Sequence, residues 1–476
     1  MAAGITNELR VSGQDLEDPA GLLFSDPRIQ ATAHDSQPMT FVVRVPAEVD
    51  PGMVEVRWAG RFGVSNPRPL VISSGPEWTL QPTNTARADA LDFPWDTGVL
   101  GRLPAAQSLW FRCSGEPGAR ASVRVLASEL GSRLEPVLRW CSDSGGELGS
   151  IRGSCLDFVM PASGRCLVQL QDATYRGGDE HLFRLVATRA PHIGLVLPGV
   201  LRAGETNRVT LFGRRLPGGK SSPLDGPDGR PWEMLETEII APPLAHSNAP
   251  PFNLPRRAAS APLAAASMRW EWASSNGVSN PVLLALTEAP VVSIPPGTSG
   301  PGGSLTPVRP PVEFSGLFPR RGEQGGVTFE ARKGDVYWVE VWAERLGFPC
   351  DPRVIIQRQR GTRGEQGETL YADVLELNDH EANPGGTEFS TVSRDPAGRF
   401  EAPEDGTYRM LVWDLFHTAA RGGHHPYRLA LRRESPDFSL AVLPMPPVRA
   451  NDNDRAVHAV APFLRRGQTE LLKVIA

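Results

Sequence analysis

Lysine is nearly missing. Lys220, Lys333 and Lys473 are the only three among 49 basic residues, so arginine carries almost all the positive charge. The arginines are scattered, which fits codon usage in a GC-rich genome better than an arginine-specific surface. The net charge is −5, and no basic footprint for nucleic acid or an anionic membrane follows from it. No apolar run approaches about 18 residues, which excludes a transmembrane helix. Helical periodicity is nearly absent. Chemistry-bearing motifs are scarce too. Gly63-Val64-Ser65-Asn66-Pro67 lacks the second glycine of a nucleophile elbow, and His380-Glu381 lacks the second histidine of a zinc helix. No glycine-rich phosphate loop precedes a helix, and no Cys-x-x-Cys spacing supports zinc. A serine triad needs no adjacent members, but nine histidines in loops make little case for one. The chain is expected to be non-enzymatic, with no bound cofactor beyond the calcium considered below.

Turn formers are plentiful: 48 Gly and 46 Pro spread through 476 residues. Between them lie short alternating runs such as Leu109–Cys113, Ala121–Val125, Cys166–Leu170, Leu182–Val186, Val336–Trp342, Tyr408–Trp413 and Tyr427–Leu431. Such spacing predicts an all-β protein of tandem β-sandwich domains. Phe41–Val45 and Val54–Trp58 flank Pro51-Gly52 and are expected to pair as a hairpin.

Five cysteines occur. Cys113, Cys141, Cys155 and Cys166 cluster, and Cys350 stands apart and is expected to be unpaired. The cluster fits one or two disulfides in an oxidising compartment, with three connectivities open to four cysteines, or else four buried thiols. The first residues, Met1-Ala2-Ala3-Gly4-Ile5, carry neither a basic n-region nor an apolar h-region, so they do not read as a signal peptide.

An internal repeat organises the chain. Gly63-Val64-Ser65-Asn66-Pro67 returns as Gly277-Val278-Ser279-Asn280-Pro281. Leu9–Leu16 is similar to Val209–Leu216. Glu129–Pro136, with Leu130-Gly131, is similar to Glu344–Pro352, with Leu346-Gly347. Pro161 and Asp172 match Pro403 and Asp414 at one shared offset of 242. A two-domain unit is therefore expected twice. Its parts are 1–74, 75–190, 191–294, a linker at 295–311, 312–435, and a tail at 436–476 that reads as the possible start of a further domain. Pro217–Pro262 is expected to be a surface loop.

The stretch Gly326–Asp335, then Leu346-Gly347, Asp351-Pro352, Ala402–Tyr408, Asp414-Leu415 and Pro426–Leu429, resembles the bacterial pre-peptidase C-terminal domain. Residues 75–190 look like a more diverged copy, with Leu130-Gly131, Pro136, Pro161, Gly164, Asp172 and Phe183-Arg184-Leu185. The domains before them resemble immunoglobulin-like domains of the IPT/TIG kind. The alternation is similar to that of large exported proteins of planctomycete-type bacteria. The resemblance implies non-catalytic β-sandwiches in an extracytoplasmic protein that is secreted, periplasmic or on the cell surface. It also implies a signal peptide and an opening strand before Leu9, so the chain is expected to be a truncated gene product or a processed fragment.

The acidic loops of the last large sandwich hold the best site candidates. Calcium takes roughly six to eight oxygen ligands from flexible loops. Asp379, Glu381, Asp395 and Asp414 offer such oxygens, and the alternative is that they cap backbone N–H groups in turns. Asn451-Asp452-Asn453-Asp454 resembles half an EF-hand loop but has Ala456 where glycine is required. His424-His425, after Gly422-Gly423, reads as a surface hairpin tip, the alternative being a transition-metal ligand pair. Trp338, Trp342 and Trp413 suit either core packing or a glycan-binding face. The expected function is a binding or scaffold protein whose partner is a protein or polysaccharide at the cell surface. The alternatives are the accessory region of a secreted peptidase and a cell-surface layer or adhesion subunit.

Overall fold

The computed structural model describes residues 1–476 other than 15, 50, 62, 66, 74, 227–228, 245–265, 295–304, 319–324, 347, 349, 364–367, 384–391, 417–424, 435–440, 446–468, 470 and 476. The alternating runs form strands, as a pleated chain with one apolar face requires. Among the described residues there is no α-helix, and helical turns are short 3-10 pieces such as Ser128–Leu130 and Glu344–Leu346. The fold is all-β, of the sandwich kind. The chain divides into two compact units, Met1–Ala190 with Leu440–Ile475, and Pro191–Ser439.

Each unit contains a large sandwich of two five-stranded sheets. In the first unit one sheet runs, in spatial order, Cys155–Val159, Arg120–Leu126, Leu182–Thr188, Gly98–Arg102, Glu77–Thr79. Its mate runs Glu147–Arg152, Pro136–Ser142, Arg165–Asp172, Leu109–Ser114, Leu91–Asp92. In the second unit the order of the first sheet is Ala397–Glu401, Val336–Trp342, Pro426–Arg433, Val312–Leu317, Val291–Ser293. Its mate is Glu368–Leu377, Pro352–Arg363, Gly406–Asp414, Gly325–Ala331, Thr306–Val308. Strand for strand the topologies are the same. Phe111, Leu138, Phe158 and Phe183 close the first core, and Phe329, Tyr337, Phe400 and Tyr408 the second.

The anchors seen in the sequence occupy matching places. Pro136 lies opposite Asp172, and Pro352 opposite Asp414. Each unit also has a smaller pair of sheets, its small sandwich, one pair containing Thr6–Arg10 and Gly52–Gly60 and the other Thr206–Arg214 and Val282–Thr287. In each, an asparagine of the first-named strand clamps the chain just before it. Asn7 accepts from the Ala2 N–H and donates to the Ala2 and Ile5 carbonyls. Asn207 makes the same three bonds with Arg202 and Glu205. At the Gly-Val-Ser corner the Trp58 N–H donates to Ser65 Oγ and the Ser65 N–H returns to the Trp58 carbonyl. Trp272 and Ser279 repeat that pair at 2.9 Å each way. Each clamp satisfies backbone groups that water would otherwise have to reach.

Two expectations are corrected. Thr40–Arg44 pairs with Thr6–Arg10 and Gln30–Ala33, whereas Gly52–Gly60 pairs with Gly21–Phe24 and Arg68–Ile72. The two runs belong to different sheets and are not a hairpin. Val45 and Val49 are buried in the connection, which carries the chain across the core. Pro217–Pro262 is not all loop either. Lys220–Asp225 and Pro231–Ile240 are strands that bury Leu224, Trp232 and Ile239. Gly and Pro around them hid the alternation. Residues 245–262 of that stretch, 295–304 of the 295–311 linker, 422–424 and 451–454 lie outside the described residues, and Thr306–Val308 of that linker is an edge strand of the second large sandwich.

Candidate functional site

The acidic end of the second large sandwich is built around Asp395, which is fully buried before the strand Ala397–Glu401. Its Oδ1 accepts the Ala343 and Glu344 N–H groups at 3.0 and 2.7 Å. Its Oδ2 accepts the Arg345 N–H and Nε at 2.9 and 3.0 Å. Burial pushes the Asp395 carboxyl above its ordinary value, opposed by Arg345 and those three N–H groups. Asp395 thus caps the 3-10 turn Glu344–Leu346. Glu344 reciprocates by accepting the Arg394 N–H.

Asp414 is also fully buried, and its Oδ1 accepts the Asp351 N–H at 2.9 Å. Asp172 does the same for Glu135 in the other copy, and accepts the Thr174 N–H, the Thr174 hydroxyl and the Arg176 N–H as well. Burial pushes the Asp172 carboxyl up, but these donors outweigh it and hold it down at about 2. Asp379 and Glu381 are exposed beyond the strand Glu368–Leu377. The four calcium candidates are therefore split between two buried caps and two surface carboxylates. No group of three or more metal-capable side chains forms among the described residues.

The tryptophans do not share a face. Trp338 and Trp342 lie outside one sheet and Trp413 outside the other, where Arg353 stacks on it at 5.7 Å. Trp342 is buried beneath Arg428, Arg345 and Arg432, at 4.3, 5.0 and 5.8 Å from its ring.

Those arginines belong to a buried ionic network that motif searching passes over. Arg345 bridges Asp395 and Glu340, and Glu340 also accepts Arg432. Arg428 grips Glu313 through Nε and Nη2, the latter at 2.9 Å, with both partners almost fully buried. The Thr287 hydroxyl donates to Glu313 at 2.7 Å, and Arg428 Nη2 reaches the Leu286 carbonyl. Both of these come from the preceding small sandwich, so the pair ties the two sandwiches of this unit together.

In the other copy Arg184 stands where Arg428 does, but its carboxylate comes from a different strand. Glu313 sits in register beside Val291, and its counterpart Gly98 beside Glu77. Glu77 supplies the acid, at 2.6 Å from Arg184 Nη2. A Cβ added at Gly98 would overlap the Glu77 carboxylate. The acid has moved one strand sideways, and glycine has made room for it. The signal was present in the sequence: Phe183-Arg184-Leu185 and Tyr427-Arg428-Leu429 each put a charge inside an apolar strand.

No protein-family model and no curated protein matches the chain. Solved structures similar in part include the pre-peptidase C-terminal domain of a Bacillus anthracis collagenase. It has 14% identity and a TM-score of 0.18, over 27% of this chain and 95% of that one. CorA, a surface-associated copper-binding protein of Methylomicrobium album BG8, has 9% identity and a TM-score of 0.18, over 28% and 99%. The SGBP-B protein of a Bacteroides ovatus mixed-linkage glucan utilization locus has 9% identity and a TM-score of 0.15, over 90% and 71%. Likenesses at this level carry no functional argument.

Two predictions follow from the buried charges. Glu313→Gly strands Arg428, and should cost about 3–5 kcal/mol in urea unfolding. Adding Val291→Glu, which copies the arrangement of the other sandwich, should recover most of it; no recovery would refute the strand-swapped equivalence. For Asp172 the folded-state pKa lies below the unfolded one. Its contribution is therefore full above about pH 4 and fades as pH falls towards 2. Asp172→Asn should be about 2 kcal/mol less stable at pH 7, and the gap should close by about pH 2.

Proposed function

We propose that the chain is a non-catalytic binding or scaffold protein of the cell exterior that presents loops at the ends of rigid sandwiches to a polysaccharide or protein surface. One observation supports this most directly. An exposed aromatic follows each buried aspartate within three residues: Tyr175, 62% exposed, after Asp172, and Phe416, 66% exposed, after Asp414. Tyr175 holds φ at 58°, so the backbone accepts a left-handed conformation at the tip. An anchored loop with an exposed ring suits stacking on a sugar face or insertion into a protein pocket.

The finer reading takes the large sandwiches as pre-peptidase C-terminal-like and the small ones as IPT/TIG-like. The twice-built topology and the Pro–Asp anchors support it. Calcium belongs to this proposal through Asp379 and Glu381. Asp379 adds to the negative field around Asp351, whose carboxyl is raised by burial and then by Asp379.

Soluble cell-wall and plant polysaccharides, titrated against the purified chain by affinity electrophoresis, test the reading. Tyr175→Ala and Phe416→Ala should each weaken binding about tenfold, as loss of about 1.4 kcal/mol of ring contact would. Affinity unchanged in both variants removes the loop tips as the binding surface, and release of sugars or peptides by the chain overturns the non-catalytic reading. Returning calcium to chelated protein should raise the melting temperature modestly; an unmoved transition removes calcium.

A further inference from the structure

Cys113 and Cys166 are directly opposite one another on adjacent antiparallel strands, Leu109–Ser114 and Arg165–Asp172. Both are fully buried and face the core between the sheets. Directly opposed residues of an antiparallel pair have Cα atoms roughly 4.5–5.5 Å apart, inside the roughly 4.4–6.8 Å that a disulfide spans.

The other two cysteines of the cluster are kept away by strand parity. Cys141 lies opposite Leu167, so it points out of the same sheet, among Ala90 and Leu167. Cys155 lies in the other sheet, one residue before the core-facing Leu156, so it points out of the far side. A full sandwich separates Cys141 from Cys155, and a sheet separates each from the Cys113–Cys166 pair or its mate. The second copy shows what this position holds otherwise. Phe329 and Tyr408 are the register equivalents of Cys113 and Cys166, and their rings stack in the core at 5.8 Å.

We propose that Cys113 and Cys166 form a cross-strand disulfide that staples Arg165–Asp172, the central strand of its sheet in the first large sandwich, to its neighbour Leu109–Ser114, and that no disulfide joins Cys141 to Cys155. The bond forms by thiol–disulfide exchange with a small-molecule disulfide such as oxidised glutathione. One cysteine thiolate attacks that disulfide and expels one glutathione thiolate. The second cysteine thiolate then attacks the mixed disulfide and expels the other. Two thiols lose two protons and two electrons, and one glutathione disulfide becomes two glutathiones. Because neither sulfur is accessible in the folded sandwich, exchange takes place before the core closes. The inference rests on strand register and burial, and on the extracytoplasmic setting of the proposed function, because a reducing compartment would keep both thiols free.

The test is refolding of the full chain from reductant and denaturant into a mixture of reduced and oxidised glutathione. Samples with native circular dichroism are alkylated under denaturing conditions, digested and read by mass spectrometry. The expected result is one linked peptide pair containing Cys113 and Cys166, lighter by two hydrogens, with Cys141, Cys155 and Cys350 alkylated. A variant with Cys141, Cys155 and Cys350 all changed to alanine should form the same link. Natively refolded protein with all five cysteines alkylated, or with Cys113 joined to any other cysteine, would overturn the proposal.

Discussion

A guanidinium in the middle of an apolar strand must be neutralised where it sits, because an unpaired buried charge costs several kcal/mol. Arg184 and Arg428 impose that constraint at the same place in the two large sandwiches. The strands around them are arranged to meet it. In one copy Glu313 answers from the neighbouring strand, Thr287 of the preceding sandwich donates to that carboxylate, and the Leu286 carbonyl accepts from Arg428 Nη2. In the other copy Glu77 answers from one strand further out, over a glycine that leaves it space. What persists is the charge balance at a point in the fold, and not the residue at a position in the alignment. Buried pairs of this kind add little net stability over an apolar replacement. Their geometry is demanding, and in the second unit it fixes how the small and large sandwiches meet.

The carboxylates at the loop ends are used in a similar way. Asp395, Asp414 and Asp172 take backbone N–H groups that no strand partner could reach. A carboxylate that accepts several internal donors has few lone pairs left for a metal. These residues hold loops in place, and the aromatic side chains that follow two of them, Tyr175 and Phe416, are exposed.

Much of the architecture was readable from the residues. The Pro–Asp anchors at one shared offset, the Gly-Val-Ser corner and the strand runs of the large sandwiches all point to a duplicated all-β protein, and matching hydrogen bonds recur at the anchors and corners. The readings that failed did so for a local reason. Phe41–Val45 and Val54–Trp58 have hairpin spacing, yet the buried Val45 and Val49 turn their connection into a crossing between sheets. Alternation reports which face a residue takes, and says nothing of which strand lies alongside. The strand Pro231–Ile240 alternates with acids that look solvated, and only its pairing with Thr206–Arg214 shows that Trp232 and Ile239 enter the interior.

Composition and periodicity by themselves determined the fold class, the repeat and the scarcity of catalytic motifs, because these depend on side-chain patterns within a few residues. The tertiary structure alone decided which charges pair, which aspartates are caps and which two of four clustered cysteines face each other. Those outcomes depend on register between strands far apart in the chain. A shift of one residue there turns every side chain to the opposite face, and nothing local in the sequence records it.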